Sequence, residues 1–176
     1  FFRHLCDMFV ESIKSISISE AEIRKRYKFS NIEEVNKIEA ANKSILLMCA
    51  HYGSWEWIFI IQRYVTTDGY AIYKKIENKY FDQLVRKIRA KYNTYLITNK
   101  ETFTSMREHK RLGKKGIYGF LSDQSPKVKS AYHWKKFMNI KVPVHTGAEK
   151  LSKELDLAIV FFKTKKVRRG YYETTF

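Results

Sequence analysis

The sequence predicts an α/β domain: a mostly parallel central sheet flanked by helices, preceded by an N-terminal helical segment. Three observations carry this. After residue 43, short apolar runs alternate with segments of helical periodicity, which is the pattern of repeated βαβ units. Before it, apolar residues recur at helical spacing beside capping-box patterns. The composition, 44% hydrophobic and 30% charged over 176 residues, suits one globular domain with a sizeable core. The chain therefore divides into helices over 1–43 and an α/β core over 44–176, within a single domain.

In the first part, Phe2, Leu5, Phe9 and Ile13 follow one another at helical spacing, with Met8 nearby. Ser19-x-x-Glu22 and Ser30-x-x-Glu33 are capping boxes and predict two short helices in succession. In the core, strands are expected at 44–50, 70–73, 94–97, 116–122 and 157–162, and helices at 54–65, 78–91, 102–112 and 146–155. The helix at 78–91 carries the stripe Phe81, Leu84, Val85, Ile88 and Tyr92. Arg89 falls at its edge, where the stem can pack and the guanidinium stay presented. Thr146-x-x-Glu149 caps the last helix. Residues 170–176 read as a further strand, pairing antiparallel with 157–162 across a basic turn from Lys163 to Arg169. The stretch 123–143 is long for a loop, and such loops are often functional.

No apolar run approaches the roughly 20 residues of a membrane-spanning helix. The start, Phe1-Phe2-Arg3-His4, has neither an initiator methionine nor a cleavage site, and the end reads as mid-strand. A fragment is expected, with any membrane anchor outside it. Cys6 and Cys49 make no disulfide framework, which favours a reducing compartment. The net charge is +16. Residues 1–40 hold seven basic and seven acidic side chains, so the excess lies in 41–176, with 27 basic against 11 acidic. Such a field attracts an acidic protein, an anionic membrane or nucleic acid.

The chemistry concentrates in His51-Tyr52-Gly53-Ser54-Trp55-Glu56-Trp57, after the apolar run Ser44–Ala50. A histidine at a strand end can act as general base on an alcohol. A carboxylate at the start of the following helix can fix its tautomer and stabilise the imidazolium. Gly53 permits close backbone approach, and free N–H groups at the helix start can hold an anion. A capped helix start with a surface histidine fits the same spacing. Trp55, Trp57, Ile58, Phe59 and Ile61 read as helix-to-sheet packing. Asp123 and Gln124 fall at the C-terminal edge of the fourth strand, where ligands gather in open α/β sheets; an Asx turn before Pro126 is the simpler alternative. A Cys49 nucleophile beside His51 is disfavoured, because apolar neighbours keep a thiol protonated. His133 and His145 lack metal-ligand spacing, so no metal is expected. The run Lys163, Lys165, Lys166, Arg168 and Arg169 is either a solvated turn or an anion-binding patch.

Four blocks, Glu11-Ser12-Ile13-Lys14, the His51–Trp57 block, Asp123-Gln124-Ser125-Pro126 and Arg169-Gly170-Tyr171-Tyr172, occur in an order that resembles the lipid A biosynthesis late acyltransferases (the lauroyl/myristoyl acyltransferase family). These belong to the lysophospholipid acyltransferase superfamily, with its glycerol-phosphate-acyltransferase-like fold. The resemblance implies an enzyme at the cytoplasmic face of a bacterial inner membrane. It would move a fatty acyl group from the phosphopantetheine of acyl carrier protein to a hydroxyl of a lipid A precursor, with no other cofactor. It makes His51 the base and Glu56 its partner, matches Arg89 to a family arginine and Tyr73-Lys74 to the acceptor pocket, and places Tyr52, Gly53, Ser54, Asp123 and Gln124 on the substrate side. Ser54 stands where family members often carry asparagine. The alternatives are acylation of a glycerolipid, and a basic module that binds membrane or nucleic acid; no nucleic-acid-binding signature is present.

Overall fold

The computed structural model describes residues 2–176, and of Ser130 the backbone alone. Its centre is a five-stranded, wholly parallel sheet in the order β4-β3-β5-β2-β8. These strands are β2 (Ile45–Cys49), β3 (Gly69–Tyr73), β4 (Thr94–Thr98), β5 (Ile117–Leu121) and β8 (Ala158–Phe161). Each lies within a residue or two of its expected place, and the parallel α/β fold is as the alternation predicts.

Alternation along the strands sends side chains to two cores. Ile45, Leu47 and Ile117 join Trp57, Ile60 and Ile61 on one face. Tyr118 and Ile97 join Met106, Leu151 and Leu155 on the other. The latter come from helices α5 (Thr102–Arg111) and α6 (Gly147–Leu155). Helix α4 (Lys79–Arg89) is capped by Asn78, whose side chain accepts from the Phe81 N–H at 3.0 Å. Its stripe is only partly covered: Phe81 is exposed, Leu84, Val85 and Ile88 are half-buried, and Tyr92 is buried in the turn that follows.

The segment expected as a helix over 54–65 is a 3-10 helix, Trp55–Arg63. Side chains three apart eclipse in this geometry, and the buried pairs Trp57/Ile60 and Ile58/Ile61 have that spacing.

The N-terminal part departs further from expectation. Helix α1 (Phe2–Ser17) is inside out: its buried residues are Asp7, Glu11 and Ser15, while Phe2, Phe9, Val10, Ile13 and Ile16 face outward. Polar ties hold it. Asp7 accepts from Lys166 at 2.5 Å and Arg169 at 2.6 Å. Glu11 accepts from the Tyr172 hydroxyl at 2.8 Å, and the Trp57 indole N–H donates to Ser15 Oγ at 2.9 Å. Helix α2 (Glu20–Arg26) follows, with Ser19 as its cap. The second capping box does not form. Residues Tyr27–Phe29 make a strand, β1, and the Ser30 hydroxyl donates to Glu173 instead, at 2.7 Å. Helix α3 (Glu33–Ala40) starts without a side-chain cap.

The expected basic turn is also a strand. β9 (Lys163–Arg168) and β10 (Tyr171–Thr175) pair antiparallel, and β1 pairs parallel with β10, making a second sheet of three strands. Segment 170–176 thus pairs with 163–168, not with 157–162. β8 belongs to the main sheet, and the chain crosses between the sheets at Phe162, whose N–H still donates to Met48 O. Within the expected loop 123–143 lies a hairpin, β6 (Trp134–Phe137) and β7 (Ile140–Pro143).

Candidate active site

β2 and β5 are neighbours in register, with Cys49 opposite Leu121. Two residues beyond each, on the same side of the pleat, come His51 and Asp123. Their meeting follows from that register. Asp123 accepts from the His51 ring Nδ1 at 2.7 Å and from the His51 backbone N–H at 2.9 Å. Burial pushes the Asp123 carboxyl up, but the hydrogen bonds and charge of His51 outweigh it and hold the group below its ordinary value. An ionised carboxylate can only accept, so Nδ1 carries the proton and Nε2 of a neutral ring presents its lone pair. Both side chains are 34% exposed, within reach of a substrate.

Glu56 is hydrogen-bonded to Arg89 and not to His51. Its carboxylate takes a bidentate pair from Arg89, with Nε at 3.0 Å and Nη2 at 2.7 Å, both side chains largely covered. The fork of a guanidinium matches a carboxylate with two parallel N–H groups, a stronger claim on Glu56 than a single ring nitrogen makes. Trp55 joins the two pairs: its ring meets His51 edge-on at 5.4 Å, and the Arg89 guanidinium lies over it at 5.0 Å. The order across the site is Asp123, His51, Trp55, Arg89, Glu56. A profile of the bacterial lipid A biosynthesis acyltransferases matches residues 1–176 of this chain. The chain belongs to that family. No curated protein matches it. Membership decides between enzyme and binding module: the protein is an acyltransferase that acts in lipid A biosynthesis.

Two of the four sequence blocks of the acyltransferase make the site, and the other two make its support. His51 meets Asp123. Glu11 meets Tyr172 of β10, and Arg169, in the turn before β10, meets Asp7, so residues of the first and last blocks help to fasten α1 to the second sheet. Gly53 is where support and site touch. It has φ +64°, and a Cβ there would stand 3.0 Å from Tyr172 Cε1. Only glycine suits both the conformation and the gap.

The remaining expected residues of the acyltransferase site divide. Tyr52 is exposed beside His51, its ring stacked on His4 at 5.7 Å. Ser54 is buried against Glu11. Tyr73 is buried at the end of β3, while Lys74 is exposed just beyond it. Gln124 is exposed next to Asp123. Cys49 is inert: burial pushes its thiol up to about 12, and it donates to Phe120 O. Between the 3-10 helix and the sheet lies an apolar cavity of about 60 Å³, lined by Cys49, Trp55, Phe59, Leu121 and Arg89 among others. Among the described residues no cluster of His, Cys, Asp and Glu has the make-up of a metal site, and no helix is long and apolar enough to cross a membrane.

The partnership sequence reasoning missed is that of Asp123 with His51. Its signal was present: each residue stands two places beyond the end of an apolar strand. Only the strand order, with β5 beside β2, turns that coincidence into a contact.

Proposed function

We propose that this acyltransferase moves a fatty acyl group from the phosphopantetheine thioester of acyl carrier protein to a hydroxyl of a lipid A precursor, at the cytoplasmic face of the inner membrane. His51 is the general base. The observation that carries this is the Nδ1 contact with Asp123 at 2.7 Å, which leaves Nε2 of a reachable ring to accept a proton.

The acceptor hydroxyl gives its proton to Nε2 as its oxygen bonds to the thioester carbonyl carbon. The tetrahedral intermediate carries the charge on the former carbonyl oxygen. Backbone N–H groups at the start of the 3-10 helix, and the Arg89 guanidinium one indole away, supply positive potential there. The C–S bond then breaks, and the imidazolium returns its proton to the departing thiolate. Asp123 keeps the tautomer and stabilises the imidazolium between the steps. Glu56 acts on Arg89, fixing its fork, and not on the proton.

The apolar cavity beside Trp55 supports an acyl donor. Its lining is almost wholly apolar, which suits the first part of an acyl chain. Tyr52, Lys74 and Gln124 are exposed and suit a polar, phosphorylated acceptor. The basic excess of residues 41–176 suits an acidic carrier protein and the phosphates of a glycolipid.

The test is acyl transfer from acyl carrier protein to a lipid A precursor by the wild type and by His51→Ala, with circular dichroism as the folding control. Transfer is expected to vanish in the variant while the spectrum is unchanged. Near-normal turnover by H51A would remove His51 from the mechanism.

A further inference from the structure

We propose that the β6–β7 hairpin is a membrane probe: its tip enters an anionic bilayer and its lysines bind the lipid phosphates around it. This rests on transfer to a membrane lipid only for its purpose, not for its binding.

The hairpin stands apart. Its strands hydrogen-bond to each other and to no other sheet. A lone two-stranded hairpin is marginal in water, and this one presents the wrong residues to water. Phe137 is 66% exposed, Met138 82% and Ile140 66%. The turn places Met138 and Asn139 at the apex with φ 49° and 64°, the two-residue hairpin geometry that usually selects Asn and Gly. An apolar side chain at such an apex has no packing role within the fold.

The ladder gives the order from the tip. Phe137 pairs with Ile140, then Lys136 with Lys141, then Lys135 with Val142, then Trp134 with Pro143. Like charges directly opposite one another are destabilising. Among the described residues no carboxylate is paired with Lys135, Lys136 or Lys141. No Asp or Glu occurs between residues 124 and 148 to relieve them. An anion from outside the chain would. At about 3.3 Å per residue, the lysine pair stands one step behind the apolar pair, and Trp134 lies two steps further back. With the tip at the usual interfacial depth of about 5–10 Å, the lysines meet phosphates and the indole meets the headgroup layer.

An acidic protein would satisfy the lysines but would not call for three apolar side chains ahead of them, so a bilayer is the better occupant. The hairpin also follows β5, leaving the sheet at the edge where His51 and Asp123 meet. Docked this way, it holds that edge toward the surface from which a lipid hydroxyl would come.

The experiment places a maleimide-linked, environment-sensitive dye at Met138→Cys in a Cys6→Ser background of the full chain, with a control label at Lys114→Cys. Each protein is mixed with vesicles of phosphatidylcholine alone, with vesicles also containing phosphatidylglycerol, and with acidic carrier protein. A blue shift of the Met138 label on the anionic vesicles only, quenched by nitroxide lipids, is expected, with the control label unmoved. Lys136→Gln/Lys141→Gln should weaken vesicle binding about thirtyfold, the loss expected of two lysines at an anionic surface. A tip label that stays in water on vesicles that bind the protein overturns the proposal. So does a label that answers to carrier protein instead, or binding that is indifferent to the two lysines. None of these readings uses catalysis, so the proposal can fail while acyl transfer stands, and the reverse.

Discussion

Asp123 grips His51 at two points, the ring Nδ1 at 2.7 Å and the backbone N–H at 2.9 Å. The double contact fixes the position of the turn as well as the orientation of the ring. A carboxylate that held only the ring would leave the backbone of the turn free to carry the imidazole away from its substrate.

Asp123→Asn keeps the shape but offers an amide that can donate as well as accept, so the ring tautomer is no longer set. By analogy with other histidine–carboxylate pairs, kcat should fall about a thousandfold or more, with little change in Tm. Steady-state transfer assays read this. Turnover within a few-fold of wild type would show that Asp123 is not the partner of His51.

Glu56→Gln is expected to behave differently. Glu56 and Arg89 are 14% and 15% exposed in their side chains, and removing one charge strands the other. The cost is about 3 kcal/mol, or roughly 6–12 °C in Tm for a chain of this size. Thermal unfolding measures it. An unshifted Tm combined with loss of transfer equal to that of H51A would instead make Glu56 a direct partner in proton transfer.

Glu11 introduces a pH dependence. Burial raises its carboxyl more than the Tyr172 and Ser54 hydroxyls lower it, so the folded value lies above the ordinary 4.5. The folded state therefore binds this proton more tightly than the unfolded chain does. Its contribution to stability is full below the ordinary value and is lost as pH rises through the raised one. Glu11→Gln removes the titration. The Tm of wild type minus that of E11Q should increase as pH falls from neutral toward the ordinary glutamate range. A flat or opposite trend in a calorimetric pH series would show that the carboxylate is not strained by burial.

The main sheet was legible because its signals are local. Ile45–Cys49, Gly69–Tyr73 and Ile117–Leu121 are short apolar runs with longer helical segments between them, and run length together with period separates strand from helix. The second sheet was not, because Lys163–Arg168 reads as a solvated turn until β10 lies beside it. α1 misleads for a different reason. Its apolar stripe is real, but periodicity states which residues share a face and not which face is turned inward; Asp7, Glu11 and Ser15 point inward because Lys166, Tyr172 and Trp57 wait there. At the candidate site, the position of His51 just past a strand end follows from the apolar run before it. The contact it makes is harder to read: Glu56 is near in sequence, whereas Asp123 is near only through strand order, 72 residues on.

Tyr172 gathers threads that the chain keeps far apart. Its hydroxyl anchors α1 through Glu11, its ring leans on Trp57 and Tyr27, and its edge leaves no room for a side chain at Gly53. A substitution at any of these positions would be transmitted to the turn that bears the imidazole. Screens that score turnover alone would then count a buried phenol among the chemical machinery, and a distant helix would look like part of the reaction.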